Sequence, residues 1–149
     1  MMQIRPGRSG DLERIDEISR VSLPQAWSRE SLQAELDEPA RARFLVVEAE
    51  GQVIGFIHWR LVLDEGQIMN LAVNPDNRRH GAGRALLDAA VRSASESGAA
   101  TMVLEVREGS AAALGLYRSA GFVVIAVRRG YYSDNGENAL FMQRSFVHV

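Results

Sequence analysis

The sequence contains no cysteine and no lysine; all 17 basic residues are arginine. The first absence excludes disulfides, thiolate nucleophiles and cysteine-based zinc sites. Together the two leave Glu, Asp, His, Tyr or the N-terminal amine as the source of any general acid or base. The histidines His58, His80 and His148 lie far apart with no metal-ligand spacing, so no metal is expected. No apolar run approaches the ~18 residues a membrane span needs. The opening Met-Met-Gln-Ile-Arg-Pro-Gly-Arg lacks the apolar region of a signal peptide. The expectation is a cytoplasmic protein with no membrane partner. A net charge of −2 argues against a dedicated nucleic-acid binder.

What is present suits one globular domain. The 149 residues are 46% hydrophobic and 24% charged, enough to bury a core without covalent staples. Met2–Arg5 reads as a strand. Leu12, Ile15, Ile18 and Val21 recur at helical spacing over 11–22. A second helix starts at Ser28 as N-cap, with Trp27 and Leu32 placed as a hydrophobic staple. Arg43–Glu48 and Val53–Leu63 form a hairpin around Glu50-Gly51, and Gln67–Val73 is a strand stopped by Asn74-Pro75.

A helix over 83–97 carries the stripe Leu86, Leu87, Ala90, Val91 and Ala94, and Gly98 ends it. Thr101–Val106 is a strand, and Ser110–Ala120 a helix capped by its serine. Phe122–Val127 and Ala139–Phe146 are the last strands, joined by a polar loop. Strands alternate with helices in the middle, with antiparallel hairpins on either side. The fold class is α/β, a mixed sheet with helices on both faces.

The most informative stretch runs from Val73 to Arg84. A strand ends, an arginine-rich turn follows, and Gly81 and Gly83 open a helix. Free N–H groups and the helix dipole make such a terminus an anion site. The glycines let a pyrophosphate approach the backbone, and Arg78, Arg79 and Arg84 add positive charge. Spacing alone leaves an ordinary loop with solvated arginines as an equal reading. A Walker loop is excluded by the missing lysine. A dinucleotide fingerprint fails because Leu86 stands where its third glycine belongs.

Arg78-Arg79-His80-Gly81-Ala82-Gly83 resembles the Q/R-x-x-G-x-G/A motif of the GNAT acetyltransferase superfamily. The block Leu104-Glu105-Val106-Arg107 through Leu116-Tyr117 to Gly121-Phe122 resembles L-E-V-R-x-S-N-x-x-A-x-x-L-Y-x-x-x-G-F, the signature of RimI-type ribosomal-protein alanine N-acetyltransferases. Arg128 to Tyr132, Glu137 to Met142, Asp64-Glu65 and Trp27-Ser28 resemble the same subfamily, so the similarity covers nearly the whole chain. It implies a GNAT fold, acetyl-CoA as co-substrate, and the N-terminus of a ribosomal protein as partner. The pyrophosphate would lie on residues 78–84, including His80 and Ala82, and the pantetheine arm along Leu71, Ala72 and Val73. Three positions depart from the pattern. Ser110 replaces the Asn that helps hold the cofactor, and its neighbours are Glu108 and Gly109. Ala26 replaces the usual Pro, and Asn138 the usual Asp.

Acetyl transfer to an amine requires an amine without its proton, a polarised carbonyl, alignment, and a proton for the leaving thiolate. Without cysteine, direct attack is the economical route. Glu105 lies among Met102, Val103, Leu104 and Val106, which predicts a partly buried carboxylate with a raised pKa. Spacing alone leaves it equally as an ion-pair partner of Arg107; the resemblance implies general base. Glu65 is the rival carboxylate, expected as an acceptor contact. Tyr117 by itself reads as a core aromatic, and the resemblance implies proton donor to the sulfur. Trp27, Tyr131 and Tyr132 are candidate walls of the acceptor site, or plain packing. A GNAT acting on a small amine or a lysine side chain is the alternative enzyme. A silent acyl-CoA-binding module is the alternative outside enzymes.

Overall fold

The computed structural model describes residues 1–146, so His148 lies outside it. The described strands are β1 (Met2–Pro6), β2 (Ala42–Ala49), β3 (Gln52–Val62), β4 (Glu65–Val73), β5 (Thr101–Arg107), β6 (Val123–Arg128) and β7 (Ala139–Ser145). The described α-helices are α1 (Leu12–Ser22), α2 (Arg29–Leu36), α3 (Ala82–Glu96) and α4 (Ala111–Ser119). The strands form one sheet in the order β1-β2-β3-β4-β5-β7-β6. Only the β4–β5 pair is parallel.

Local chemistry explains several boundaries. Glu50 and Gly51 both lie in the left-handed region, with φ of 53° and 76°. Such a two-residue turn matches the twist of the flanking strands, β2 and β3. Ser28, in extended conformation, accepts a hydrogen bond from the Ser31 N–H at 3.1 Å and caps α2. Ser110 occupies the same place before α4, but its ψ is 72° and its hydroxyl caps nothing. The expected serine cap there is corrected: an N-cap side chain reaches back only from extended backbone.

Helices cover both faces of the sheet's centre, while β6 is exposed along its length. Leu86, Leu87 and Ala90 of α3 and Leu114 and Tyr117 of α4 pack with Trp59, Met102, Leu104, Phe122 and Met142. On the other face, Leu12, Ile15 and Ile18 of α1 and Leu32 of α2 pack with Phe44, Val46 and Phe56. Trp27 packs against this second cluster, which contains Leu32. On β5, Met102, Leu104 and Val106 face α3, so the strand's alternation turns Glu105 and Arg107 to the α1–α2 side.

β4 and β5 pair over only three residues each, Glu65–Gln67 with Thr101–Val103. Past that point β4 continues with β3 and β5 with β7, so the sheet parts between them. Opposite His58 and Trp59 of β3, β4 presents Asn70 and Ile68 and leaves Met69 unpaired. That extra residue is a bulge, which bends a strand, and it sits where β4 leaves β5.

Beneath α2 lies a buried polar cluster. The Glu35 carboxylate accepts from Arg60 at 2.7 Å, Arg41 at 2.9 Å and His58 Nε2 at 2.8 Å. The Asn70 amide donates to His58 Nδ1 at 3.2 Å, which leaves the ring proton on Nε2. His58 is fully buried, stacked on Phe44 at 4.2 Å. Burial pushes its pKa down to about 4, against the raising effect of Glu35. Between an unfolded value near 6.5 and about 4, the unfolded chain binds a proton at His58 that the native state refuses. Stability from this residue is therefore complete above pH 6.5 and falls with pH towards 4, by on the order of 3 kcal/mol. Denaturant titrations from pH 7.5 to 4.5 should show this loss, and His58→Gln should flatten it. An equal pH slope in the variant would assign the loss elsewhere.

Candidate active site

The parting of β4 and β5 opens beside the start of α3. A cleft of about 570 Å³ there is lined by Leu71, Ala72 and Val73 of β4, by Arg78, Arg79, Gly81, Ala82, Gly83 and Arg84, and by α4 through Ala112, Ala113, Leu116 and Tyr117. Nine residues predicted for the cofactor thus share one surface. His80 is exposed and absent from the lining, and Ser110 lies outside it too.

The start of α3 is shaped for an anion. Gly81, its N-cap, has φ of 82°, and Arg79 before it has φ of 68°. No side chain caps the helix, so its first N–H groups keep their donors for a ligand. A Cβ built on Gly81 meets nothing within 4 Å, which leaves the backbone open to close approach. Arg78 and Arg79 are exposed and form no ion pair among the described residues. Arg84 is engaged: its Nε donates to Asp88 at 2.9 Å and its Nη1 to Ser119 Oγ at 2.7 Å, tying α3 to the end of α4. Anionic phosphates fit this terminus, and a thin apolar arm fits the β4 wall.

Tyr117 is buried on the floor of this cleft, edge-on to Phe122 at 6.1 Å. Burial pushes its phenol up to about 12. Its hydroxyl makes no hydrogen bond among the described residues, which leaves the proton for a ligand in the cleft.

Glu105 stands on β5 beyond its last pairing with β4, at the edge of the opening. The expected partial burial is corrected: Glu105 is exposed, because it alternates away from the core face that holds Leu104 and Val106. The ion-pair reading fails as well. Arg107 turns instead to Asp134, at 3.0 Å, and Glu137, at 3.3 Å. Tyr131 and Tyr132 do gather beside Glu105. Tyr132 lies under the Arg107 guanidinium at 3.9 Å, and Tyr131 packs edge-on to Tyr132 at 5.2 Å and to Phe141 at 6.0 Å. Phe141 is the β7 neighbour of Glu105. The Tyr132 phenol rises to about 12, first through burial and then through the nearby Glu105 charge.

The other two predicted acceptor contacts are Trp27 and Glu65. Trp27 is on the same face of the sheet, edge-on to His58 at 5.0 Å, and makes no ring contact with Tyr131 or Tyr132. Glu65 opens β4 and accepts from Gln67 at 2.9 Å. Six residues of strand put it about 20 Å from Leu71, at the end where β4 and β5 are closed together, so the fold does not bring it to the site.

Sequence reasoning missed Asn77 just before the arginine pair, Ser22 and Leu23 at the end of α1, and Ala112, Ala113 and Leu116 on α4. The α4 residues share a face with Tyr117 at helical spacing, a signal the sequence carried. Ser22 and Leu23 carried none, since chain distance hides their approach to Val73.

The sequence model of the acetyltransferase (GNAT) family matches residues 12–122. The [ribosomal protein bS18]-alanine N-acetyltransferase of Escherichia coli (strain K12) is 38% identical over 134 residues, 89% of each chain. An N-alpha-acetyltransferase of Sulfurisphaera tokodaii is 33% identical, over 94% of this chain and 90% of its own. The crystal structure of the ribosomal-protein-S18-alanine N-acetyltransferase from Escherichia coli superposes with a TM-score of 0.92 and 33% identity, covering 100% of this chain and 96% of that one. An uncapped helix start opened by Gly81, a sheet parted beside it, and these matches lead to one assignment: the chain belongs to the GNAT family and is an acetyl-CoA-dependent N-acetyltransferase.

Proposed function

We propose that the chain acetylates the N-terminal α-amine of a protein, with the alanine terminus of a small-subunit ribosomal protein as acceptor, Glu105 as base and Tyr117 as acid. The observation that carries this reading is the parted sheet. It sets the cofactor cleft and Tyr117 on one side of the opening and Glu105 with Tyr131 and Tyr132 at its edge. The relatives named for alanine acetylation support the acceptor.

Acetyl-CoA supplies an activated acetyl group as a thioester. Glu105 accepts the proton that the ammonium must lose. An α-amine has a pKa near 7.7–8.0, against about 10.4 for lysine, so one carboxylate suits an N-terminus better. Tyr117, protonated throughout the neutral range, donates to the sulfur as the thiolate departs. Its pKa of about 12 exceeds the ~8.5 of a free thiol. The same apolar cleft raises the thiol as well, which narrows that gap. The bulged β4 offers backbone N–H groups to polarise the carbonyl.

The test is acetylation of synthetic peptides. A peptide beginning with Ala-Arg should gain one acetyl group on its α-amine, and the same peptide with a blocked terminus should gain none. Acetyl found by mass spectrometry on an internal lysine, or only on small amines, would replace this acceptor.

A further inference from the structure

Two of the positions where this chain departs from the subfamily pattern, Gly109 and Asn138, make contacts across the same gap. Glu108, Gly109 and Asn138 meet between the end of β5 and the loop from Gly130 to Asn138. The Asn138 amide donates to Glu108 Oε2 at 2.7 Å, and its own Oδ1 accepts from the Gly130 N–H at 3.0 Å. The Gly109 N–H donates to Glu137 Oε2 at 2.7 Å, and a Cβ at Gly109 would run into that carboxylate. An aspartate at 138 would instead face Glu108 with like charge and no donor.

At the centre of the same contacts is Arg107, with 15% of its side chain exposed. Its guanidinium forks onto Asp134, with Nη1 at 3.1 Å and Nη2 at 3.0 Å, reaches Glu137 at 3.3 Å, and covers the Tyr132 ring. The loop closes on itself through Tyr132 N–H to Glu137 O at 3.2 Å and Gly136 N–H to Tyr132 O at 2.8 Å. Planar, forked and stacked recognition of this kind needs a guanidinium; an ammonium cannot reproduce it.

We propose that Arg107 is a positioning residue, and that the Arg107–Asp134–Glu137 and Glu108–Asn138 contacts form a latch holding Tyr132 beside Glu105 for the incoming acceptor. Arg107 does not line the cofactor cleft and acts through Tyr132, whose ring it covers. The inference rests on the acceptor side proposed above, where Glu105 and Tyr132 meet the amine. Within the latch Asn138 donates to Glu108, which an aspartate at 138 could not do.

Two readouts separate the latch from the acceptor assignment. Hydrogen exchange over residues 130–138 reads the latch without any activity. Steady-state kinetics with the Ala-Arg peptide reads its effect on the acceptor. Arg107→Lys should speed exchange in the loop and raise the peptide KM about tenfold. The KM for acetyl-CoA should stay within about twofold, since Arg107 does not line the cofactor cleft. Asn138→Asp should raise the peptide KM roughly three- to tenfold. Glu108→Gln on that background supplies a donor to the new carboxylate and should restore both exchange and KM, which a general loss of folding would not do. Unchanged exchange in both single variants overturns the latch. Faster exchange with an unchanged peptide KM overturns its positioning role. A wild-type protein that acetylates no N-terminus defeats the proposed acceptor, and the exchange measurements still decide the latch.

Discussion

Glu105→Gln should lower turnover by on the order of 10²–10⁴, the scale of a lost acid–base group. Glutamine keeps the shape but cannot take a proton. Glu105 is exposed at the mouth of the opening and makes no ion pair among the described residues, so nothing structural is lost with its charge. It does not line the cofactor cleft, and acetyl-CoA affinity should stay within a few-fold. Tyr117→Phe should cost a similar factor. The ring contact with Phe122 at 6.1 Å survives that change, and only the hydroxyl goes. Turnover at saturating acetyl-CoA, with affinity read by calorimetry, checks both. Wild-type rates in the two variants would move the protons to other groups or to water.

Gly83→Val should abolish coenzyme A binding, seen as loss of the calorimetric signal in a protein that still folds. A Cβ at Gly83 meets nothing nearer than Leu116 Cδ2 at 3.7 Å and Val73 Cγ2 at 3.8 Å, so the apo fold tolerates the side chain. The branch then projects into the space the pyrophosphate needs against the first turn of α3. Gly81→Val should also abolish binding, but for two reasons at once. Its φ of 82° is closed to a β-branched residue, so the turn shifts as well as filling. Gly83→Val is therefore the cleaner test. Unchanged affinity, with native circular dichroism, would remove the phosphate site from the start of α3.

Much of the fold was legible because it is local. The apolar stripe of α3, the alternation of β5 and the Glu50-Gly51 turn each follow from backbone period or φ, and the elements fall within a few residues of expectation. The glycine-opened start of α3 was legible for the same reason, since a helix start and its glycines are neighbours in the chain. Ser110 marks the limit. A serine before a helix is a good cap signal, yet the tight turn from β5 leaves its backbone unable to cap.

Sequence by itself therefore determined the chemistry available: no thiol, no lysine, a helix opened by glycines, and Glu, Asp, His, Tyr or the N-terminal amine as the groups that can move protons. Tertiary structure decided which of these meet. Parting of β4 from β5 put Tyr117 in the cleft and Glu105 at its edge, and left Glu65 at the closed end. Strand alternation exposed Glu105 where its apolar neighbours suggested burial, because one face of β5 is core and the other faces the opening. Arg107, two residues from Glu105, bonds to residues 134 and 137 instead. Side-chain direction and long-range closure settle such partnerships, and neither is written in the spacing of residues along one strand.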